Sequence, residues 1–422
     1  MYDLCVIGAG LIGSAAARHA SLQNNTRVCL IGPDEPQERS LESPREIFGA
    51  HYDEGRITRC SDPDPVWAAL AQRSINRYRE LERASGVVFY VETGCLMAGP
   101  AQGKFMSDTK RTVSSQNIPH EYLTPELLKT RLPYLNLPDT DEAIYETTRA
   151  GYINPRALIN AQKRVAMDNK CDVIDDVVCK VSQEHVNGVS FMSVLTEGGR
   201  RIEANRVLLA TGSFTTFRDL LRTGTEPEVT LCPLAVAKVE VSEEDVKHLE
   251  RMPSILYYGH GAPDWPENYP RSPKNLIGIY VLPPIKYPDG KCYIKLGNFH
   301  DSVPQRLTTL AEVKAWFCGE GVSSLVTKSA RLINAMTKGI KPLSYHGDQC
   351  VIMETPTNRP YIDLVHPGLG VAIGGNGYAA KSSDEIGRIA AMLVLKGEWD
   401  SDLPAESFKL RLKPKNKPQS KI

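Results

Sequence analysis

Six residues near the N-terminus, Gly8-Ala9-Gly10-Leu11-Ile12-Gly13, limit what this chain can fold into more than any other stretch. They follow Leu4-Cys5-Val6-Ile7, an apolar run of the kind a parallel strand shows when both faces are buried. Ser14-Ala15-Ala16-Ala17-Arg18-His19-Ala20 comes next and favours helix. Strand, turn and helix with glycines so spaced can hold a dinucleotide. Gly8 permits the tight turn, Gly10 lets a pyrophosphate reach the backbone, and Gly13 lets helix and strand pack closely. The phosphates then sit on the helix N-terminus, where free N–H groups and the helix dipole favour negative charge. The spacing alone is weak, and a glycine-rich turn without ligand is the alternative. Arg27-Val28-Cys29-Leu30-Ile31 strengthens the reading as a second strand at βαβ distance. The acidic residue expected at its end to bind a ribose is replaced by Gly32-Pro33, leaving Asp34 or Glu35 to reach it from a longer turn.

Two later segments extend the nucleotide fold. Arg206-Val207-Leu208-Leu209-Ala210-Thr211-Gly212 reads as a buried strand ending in Ala-Thr-Gly, and so resembles the segment that passes under the cofactor in two-dinucleotide-binding flavoproteins. Gly370-Val371-Ala372-Ile373-Gly374-Gly375-Asn376-Gly377 is another strand-plus-glycine unit, running into an expected helix over Ser383–Leu395. Pieces spread so widely suit an elongated FAD better than a compact NAD domain. Between them lie strand-like, proline-rich stretches such as Val236–Val241 and Cys292–Leu296, with the turn signal Pro288-Asp289-Gly290. The expected fold is α/β: a Rossmann-type, glutathione-reductase-like FAD-binding domain with an inserted, mainly antiparallel substrate domain whose sheet covers the flavin. The expected limits are 1–85, 150–225 and 340–396 for the FAD domain and 86–149 and 226–339 for the substrate domain. Residues 397–422 are expected to form a tail.

Composition narrows the partners. Fifty basic residues balance fifty acidic ones in 422 residues, so no long-range field attracts nucleic acid or an anionic membrane. Apolar runs such as Ile389–Leu395 are far shorter than the ~20 residues that span a bilayer. Ten scattered cysteines show no Cys-x-x-Cys pair and no metal spacing, which argues against a disulfide scaffold or a metal site and for a reducing compartment. A strand starting at Tyr2 leaves no room for a signal peptide. Ser420-Lys421-Ile422 differs from the peroxisomal Ser-Lys-Leu address only in its last aliphatic residue, and a basic tail from Lys413 to Lys421 is the alternative. The expected location is peroxisomal or cytoplasmic.

At five stretches the sequence resembles the monomeric sarcosine oxidase group of the D-amino-acid-oxidase-like flavoproteins, with N-methyltryptophan oxidase, pipecolate oxidase and fructosyl amino acid oxidases. The first is the N-terminal turn. The second is Tyr52-Asp53-Glu54-Gly55-Arg56-Ile57-Thr58-Arg59. The resemblance implies that Arg56 lies over the flavin and Arg59 binds the substrate carboxylate, which suits a planar guanidinium fork. The family histidine of this loop falls at Tyr52, beside His51. The third, Tyr293-Ile294-Lys295-Leu296-Gly297-Asn298-Phe299-His300, places Lys295 where family oxidases keep a lysine near flavin N5 for oxygen activation. A fixed cation there stabilises the charge that oxygen acquires with its first electron; a solvated strand lysine is the alternative. His300 and Tyr280 resemble further substrate-side groups. The fourth, Asp348-Gln349-Cys350 through Thr355-Pro356, has the spacing of the family's covalent flavin cysteine, which makes Cys350 the attachment point. The fifth is Gly375-Asn376-Gly377-Tyr378-Ala379-Ala380-Lys381. The family's second carboxylate-binding lysine falls at Ala379, and Lys381 follows two places later, to serve a shifted substrate or the cofactor. Val177 and Tyr378 complete the implied cofactor contacts.

The resemblance implies an FAD-dependent oxidase of a small carboxylated amine, acting as a monomer. Hydride equivalent would leave the C–N bond for the flavin, the imine would hydrolyse, and oxygen would become hydrogen peroxide. Two alternatives stand beside it: a dehydrogenase that uses another electron acceptor, and a flavin-binding protein without turnover.

Overall fold

The computed structural model describes residues 1–221, 224–298 and 305–415. The chain opens with the expected unit: strand β1 (Tyr2–Ile7), helix α1 (Leu11–Ser21) and strand β2 (Val28–Ile31). A short strand β3 (Arg56–Thr58) leads to the long helix α2 (Pro65–Ser85). Asp64 caps α2 by accepting from the N–H groups of Val66 and Trp67, and Pro65 occupies its first position, where no N–H is needed. After β4 (Cys95–Pro100) comes α3 (Pro155–Asp168), capped in the same manner by Asn154. Then follow β5 (Arg201–Leu209), β6 (Thr230–Val241), β7 (Ile277–Lys286), β8 (Cys292–Asn298), β9 (Ser344–Glu354), β10 (Leu369–Ile373) and α4 (Ser383–Lys396).

Two eight-stranded sheets carry the architecture. In the first, β1 lies parallel to β2 on one side and to β5 on the other. The second half of β5 pairs in parallel with β10, while its first half pairs with the antiparallel hairpin Val178–Val186/Val189–Thr196. Strand alternation sends Leu4 and Val6 to the face covered by α1 and α4, against Ala16, Ala17, Ile386 and Ile389. Cys5 and Ile7 point to the opposite face, against Val207, Leu209 and Val371. Both faces are buried, which accounts for the continuous apolar runs in the sequence. The second sheet runs β9-β6-β8-β7, then Ser254–Gly259, β4, Asp141–Glu146 and Glu121–Leu123. All its pairs are antiparallel except that of β4 with Ser254–Gly259. The fold is the expected mixed α/β arrangement.

Two expectations need correction. Residues 340–396 were assigned to the nucleotide fold, yet β9 is an edge strand of the second sheet, paired with β6 from Thr230↔Glu354 to Glu240↔Ser344. Its alternating exposure fits a half-buried edge strand, and no local signal distinguishes the two sheets. The expected tail, 397–422, is packed against the fold as far as it is described, to residue 415. Phe408 is fully buried, its ring packs 5.2 Å from that of Trp399, and Leu412–Pro414 pairs with Thr225–Pro227. Aromatic burial outweighs the basic composition there. Ser420-Lys421-Ile422 lies outside the described residues. No helix among those described is long and apolar enough to cross a membrane.

Candidate active site

A cleft of about 450 Å³ runs between the sheets. Its lining includes the first glycine turn, Val177 and Ala210–Gly212 together with Arg56, Arg59, Tyr280, Lys295, Cys350 and Lys381. The turn is shaped for phosphate. Gly8 has φ +107°, and a Cβ there would lie 2.4 Å from the Ala210 carbonyl oxygen. A Cβ on Gly13 would lie 1.8 Å from the Gly8 oxygen, so only glycine lets α1 start this close to β1. At Gly10 a Cβ would meet only His51 Nδ1 at 3.9 Å, so the space above it is open. Gly10 begins α1, no side chain caps the helix, and its first turn holds no acidic residue. Its N–H groups and dipole therefore suit an anion. At the second glycine turn, Asn376 adopts φ 50° and locks the loop, accepting from Thr355 N–H at 2.8 Å and donating to the Gly374 oxygen at 2.6 Å. Gly375, Gly377 and Tyr378 line the same cleft. An open phosphate turn and a second glycine turn on one cleft fit FAD.

Lys295 is 1% exposed on β8 and faces this cleft. Its Nζ donates to the Asp53 carboxylate and, at 3.0 Å, to the Gly55 oxygen; it stands 5.9 Å from the Tyr280 ring centre. Asp53 also accepts from Arg56 and, at 2.7 Å, from the Tyr287 hydroxyl. Burial and the neighbouring Arg56 push Lys295 down to about 8, against the pull of Asp53. Burial would raise Asp53, but Lys295 and Arg56 outweigh it and hold the carboxyl well below the usual range. The cluster carries two cations and one anion.

A second cluster repeats the pattern. Arg59 Nη2 and Lys381 Nζ reach the same oxygen of Asp62, at 2.9 and 3.1 Å, with all three residues buried. Lys381 Nζ lies beside both the Trp67 and Tyr378 rings, 5.4 and 5.3 Å from their centres. Burial lowers its pKa to about 8 while Asp62 resists the change. Arg59 Nε is buried with no acceptor among the described residues, an arrangement that invites one from a ligand. Lys381 reaches this place because a 3-10 turn, Ala379–Ser382, follows the glycines and carries it back toward Arg59. Ala379, where counting from the glycines placed the lysine, also lines the cleft.

The remaining sequence candidates divide. Cys350 lies in β9 and lines the cleft, with its thiol 3.8 Å from the Ala50 oxygen. Tyr52 is buried beside the cleft, its hydroxyl accepting from Arg45 at 3.0 Å and its ring against Arg39. The neighbouring His51, rather than Tyr52, approaches the phosphate turn; burial together with Arg156 and Arg56 lowers it to about 3, so it is neutral. Asp34 does not line the cleft: its carboxylate turns outward to Lys163 at 2.7 Å, while Gly32 and Pro33 form the wall. Glu35 is held by Arg156. His300 lies outside the described residues. Asp53, Asp62 and Tyr287 were not among the expected site residues. The signal for the two acids was local: each stands three residues from an arginine, Asp53 before Arg56 and Asp62 after Arg59.

Residues 3–393 match the family model described as FAD dependent oxidoreductase. The chain is similar to monomeric sarcosine oxidase of Streptomyces avermitilis, at 25% identity over 94% of each chain. It is also similar to N-methyl-L-tryptophan oxidase of Yersinia pestis, at 25% identity over 62% of this chain and 67% of that one. Among solved structures it shares the fold of NikD, an unusual amino acid oxidase of nikkomycin biosynthesis, with TM-score 0.71, 18% identity and 99% of both chains covered. L-proline dehydrogenase from P. horikoshii gives 0.70 at 17% identity, over 97% of this chain and 96% of that one. With a matching model over nearly its whole length and a cleft built for a dinucleotide, the chain belongs to the family of FAD-dependent oxidoreductases.

Proposed function

We propose that the chain oxidises a small carboxylated amine at its C–N bond and passes the electrons to oxygen. The observation that carries this reading is the pair of basic clusters, buried Arg59/Lys381 and half-buried Arg56 with buried Lys295, on the cleft that holds the nucleotide turns. FAD, when bound, supplies the two-electron acceptor for the C–N bond and the electron donor to oxygen. Balanced, amine, oxygen and water give a carbonyl compound, the released amine and hydrogen peroxide. Arg59 would take the substrate carboxylate through its Nε–H, which has no acceptor among the described residues, with Lys381 beside it. Holding the carboxylate fixes which carbon faces the ring and so supplies orientation. Lys295 places a positive charge where oxygen gains its first electron. Arg56 supplies a second cation beside the same site, and Tyr280 closes the cleft over Lys295. Cys350 is the residue we assign to covalent attachment. The names of the sarcosine and N-methyltryptophan oxidases support the substrate class. A monomer in the peroxisome or cytoplasm completes the proposal.

A second reading has its own observation. Asp53 binds Lys295 directly, so the cation is partly neutralised, as a dehydrogenase that avoids oxygen would allow. Anaerobic bleaching of the yellow protein by N-methyl, cyclic and primary amino acids tests both. Bleaching by one class, reversed by air with stoichiometric peroxide, supports the oxidase. Bleaching that air does not reverse, but an artificial electron acceptor does, supports the dehydrogenase. No bleaching by any member refutes both.

A further inference from the structure

Lys295 has an unusual environment for a residue asked to stay charged. It is buried, and Arg56 presents a second positive charge to the same carboxylate. Both effects drive it toward the neutral amine. Every neighbouring element contributes a group to the balance. Asp53 and Arg56 come from β3 and the loop before it, Tyr280 from β7, and Tyr287 from the turn beyond. Asp348 and Cys350 come from β9, and Lys238 from β6, directly across the sheet from Lys295. Of the two carboxylates that act on Lys295, Asp348 is engaged by Arg39 at 3.4 Å and by Lys238 at 3.6 Å. Asp53 touches Nζ itself and is oriented from the far side by the Tyr287 hydroxyl.

We propose that Asp53 is a positioning residue that keeps Lys295 positively charged beside Arg56, and so sets the alkaline limit of the oxygen step. The proposal rests on the oxidase reading for its consequence, since a neutral amine at Lys295 would offer oxygen no charge. The Asp53 carboxylate is taken up by Lys295, Arg56 and Tyr287, and it acts through Lys295. Its cost is one unit of positive charge at the site, and its benefit is that the remaining unit survives near neutral pH. The pKa of about 8 for Lys295 is consistent with a group held just above the working range by one ion pair. Tyr287 provides a test of sign. Its hydroxyl shares the Asp53 negative charge, so removing it strengthens the pull of Asp53 on the Lys295 proton. Removing Asp53 does the reverse.

The experiment is a spectrophotometric pH titration of the resting, oxidised holoenzyme, which needs no turnover, followed by stopped-flow reoxidation with oxygen across the same pH range. The wild type is expected to show a midpoint near pH 8, absent in Lys295→Met. Asp53→Asn is expected to lower the midpoint by about two pH units, as loss of a close ion pair in a protein interior implies. Its reoxidation at pH 7.5 should fall about 25-fold, the loss of charged Lys295 that such a shift implies, and recover at acid pH. Asp53→Glu should restore the wild-type midpoint, and Tyr287→Phe should raise it. An unchanged or higher midpoint in Asp53→Asn, or wild-type reoxidation by that variant at pH 7.5, overturns the proposal. If Asp53→Asn does not retain FAD, an unchanged or lowered midpoint in Tyr287→Phe overturns it. If no amine reduces the wild type, the oxidase reading fails while the midpoints still decide whether Asp53 holds the charge on Lys295.

Discussion

Asp384→Asn should loosen the joint that ties the start of α4 to three other helices. Asp384 sits fully buried in the first turn of α4. It accepts from Arg18 of α1 at 2.6 Å, Arg77 of α2 at 2.6 Å and Gln162 of α3 at 3.0 Å, with His19 at 3.3 Å. One carboxylate therefore fixes the start of α4 against three other helices. The substitution keeps the size and removes the charge, leaving two arginine head groups short of a partner. Removing one partner of a buried ion pair costs about 3–5 kcal/mol. An unfolding entropy of about 0.9 kcal/mol/K for a chain of this length converts that into a Tm lower by about 3–6 °C, if the chain unfolds as one unit. The pH dependence has a definite sign. Burial raises the Asp384 pKa, but His19, Arg18 and Arg77 reverse that and hold it well below the usual carboxylate range. A depressed folded pKa contributes stability that is complete above the unfolded value near ~4 and is lost as pH falls below it. Calorimetry at pH 7.5 and pH 3.5 measures both effects: the gap between wild type and variant should be widest at pH 7.5 and shrink toward pH 3.5. A Tm within 1 °C of wild type at pH 7.5, or a gap that grows in acid, refutes the reasoning.

Three further outcomes test the site. Arg59→Gln should raise KM for the carboxylated amine on the order of 100-fold, the loss of about 3 kcal/mol in charge-assisted hydrogen bonding; a KM within threefold of wild type would remove Arg59 from substrate binding. Cys350→Ser should release its yellow colour into the supernatant on acid precipitation, whereas wild-type protein keeps it in the pellet, and release by both would exclude a covalent bond. Gly13→Ala should fail to bind FAD and should unfold earlier, because its Cβ collides with the Gly8 carbonyl. Gly10→Ala has free space in the apoprotein, so its melting point without FAD should match wild type while FAD affinity falls. Equal losses of apoprotein stability in both variants would contradict that division.

The amino-acid sequence by itself determined the parts of this protein in which the interacting groups are close along the chain. Gly8, Gly10 and Gly13 act within one turn, and the strand before them shows its double burial as an unbroken apolar run. The helix over Ser383–Leu395 was readable for the same reason and ends at Lys396. Arg56, Arg59, Lys295 and Cys350 were readable through the resemblance, which supplies their neighbours from outside the chain. Tertiary structure decided what those residues face. Lys381 seemed displaced when counted from the glycines, yet a 3-10 turn brings it onto the same carboxylate oxygen as Arg59, more than three hundred positions earlier in the chain. Asp34 had the right chemistry and nearly the right position, but Lys163 draws it outward. Strand β9 could join either sheet by its pattern, and pairing with β6 settled the matter. Most of all, Asp53 and Asp62 were not among the expected site residues, and burial places each against two cations. Burial is a property of the folded chain, and it is burial that turns a solvated charge into one that controls its neighbours.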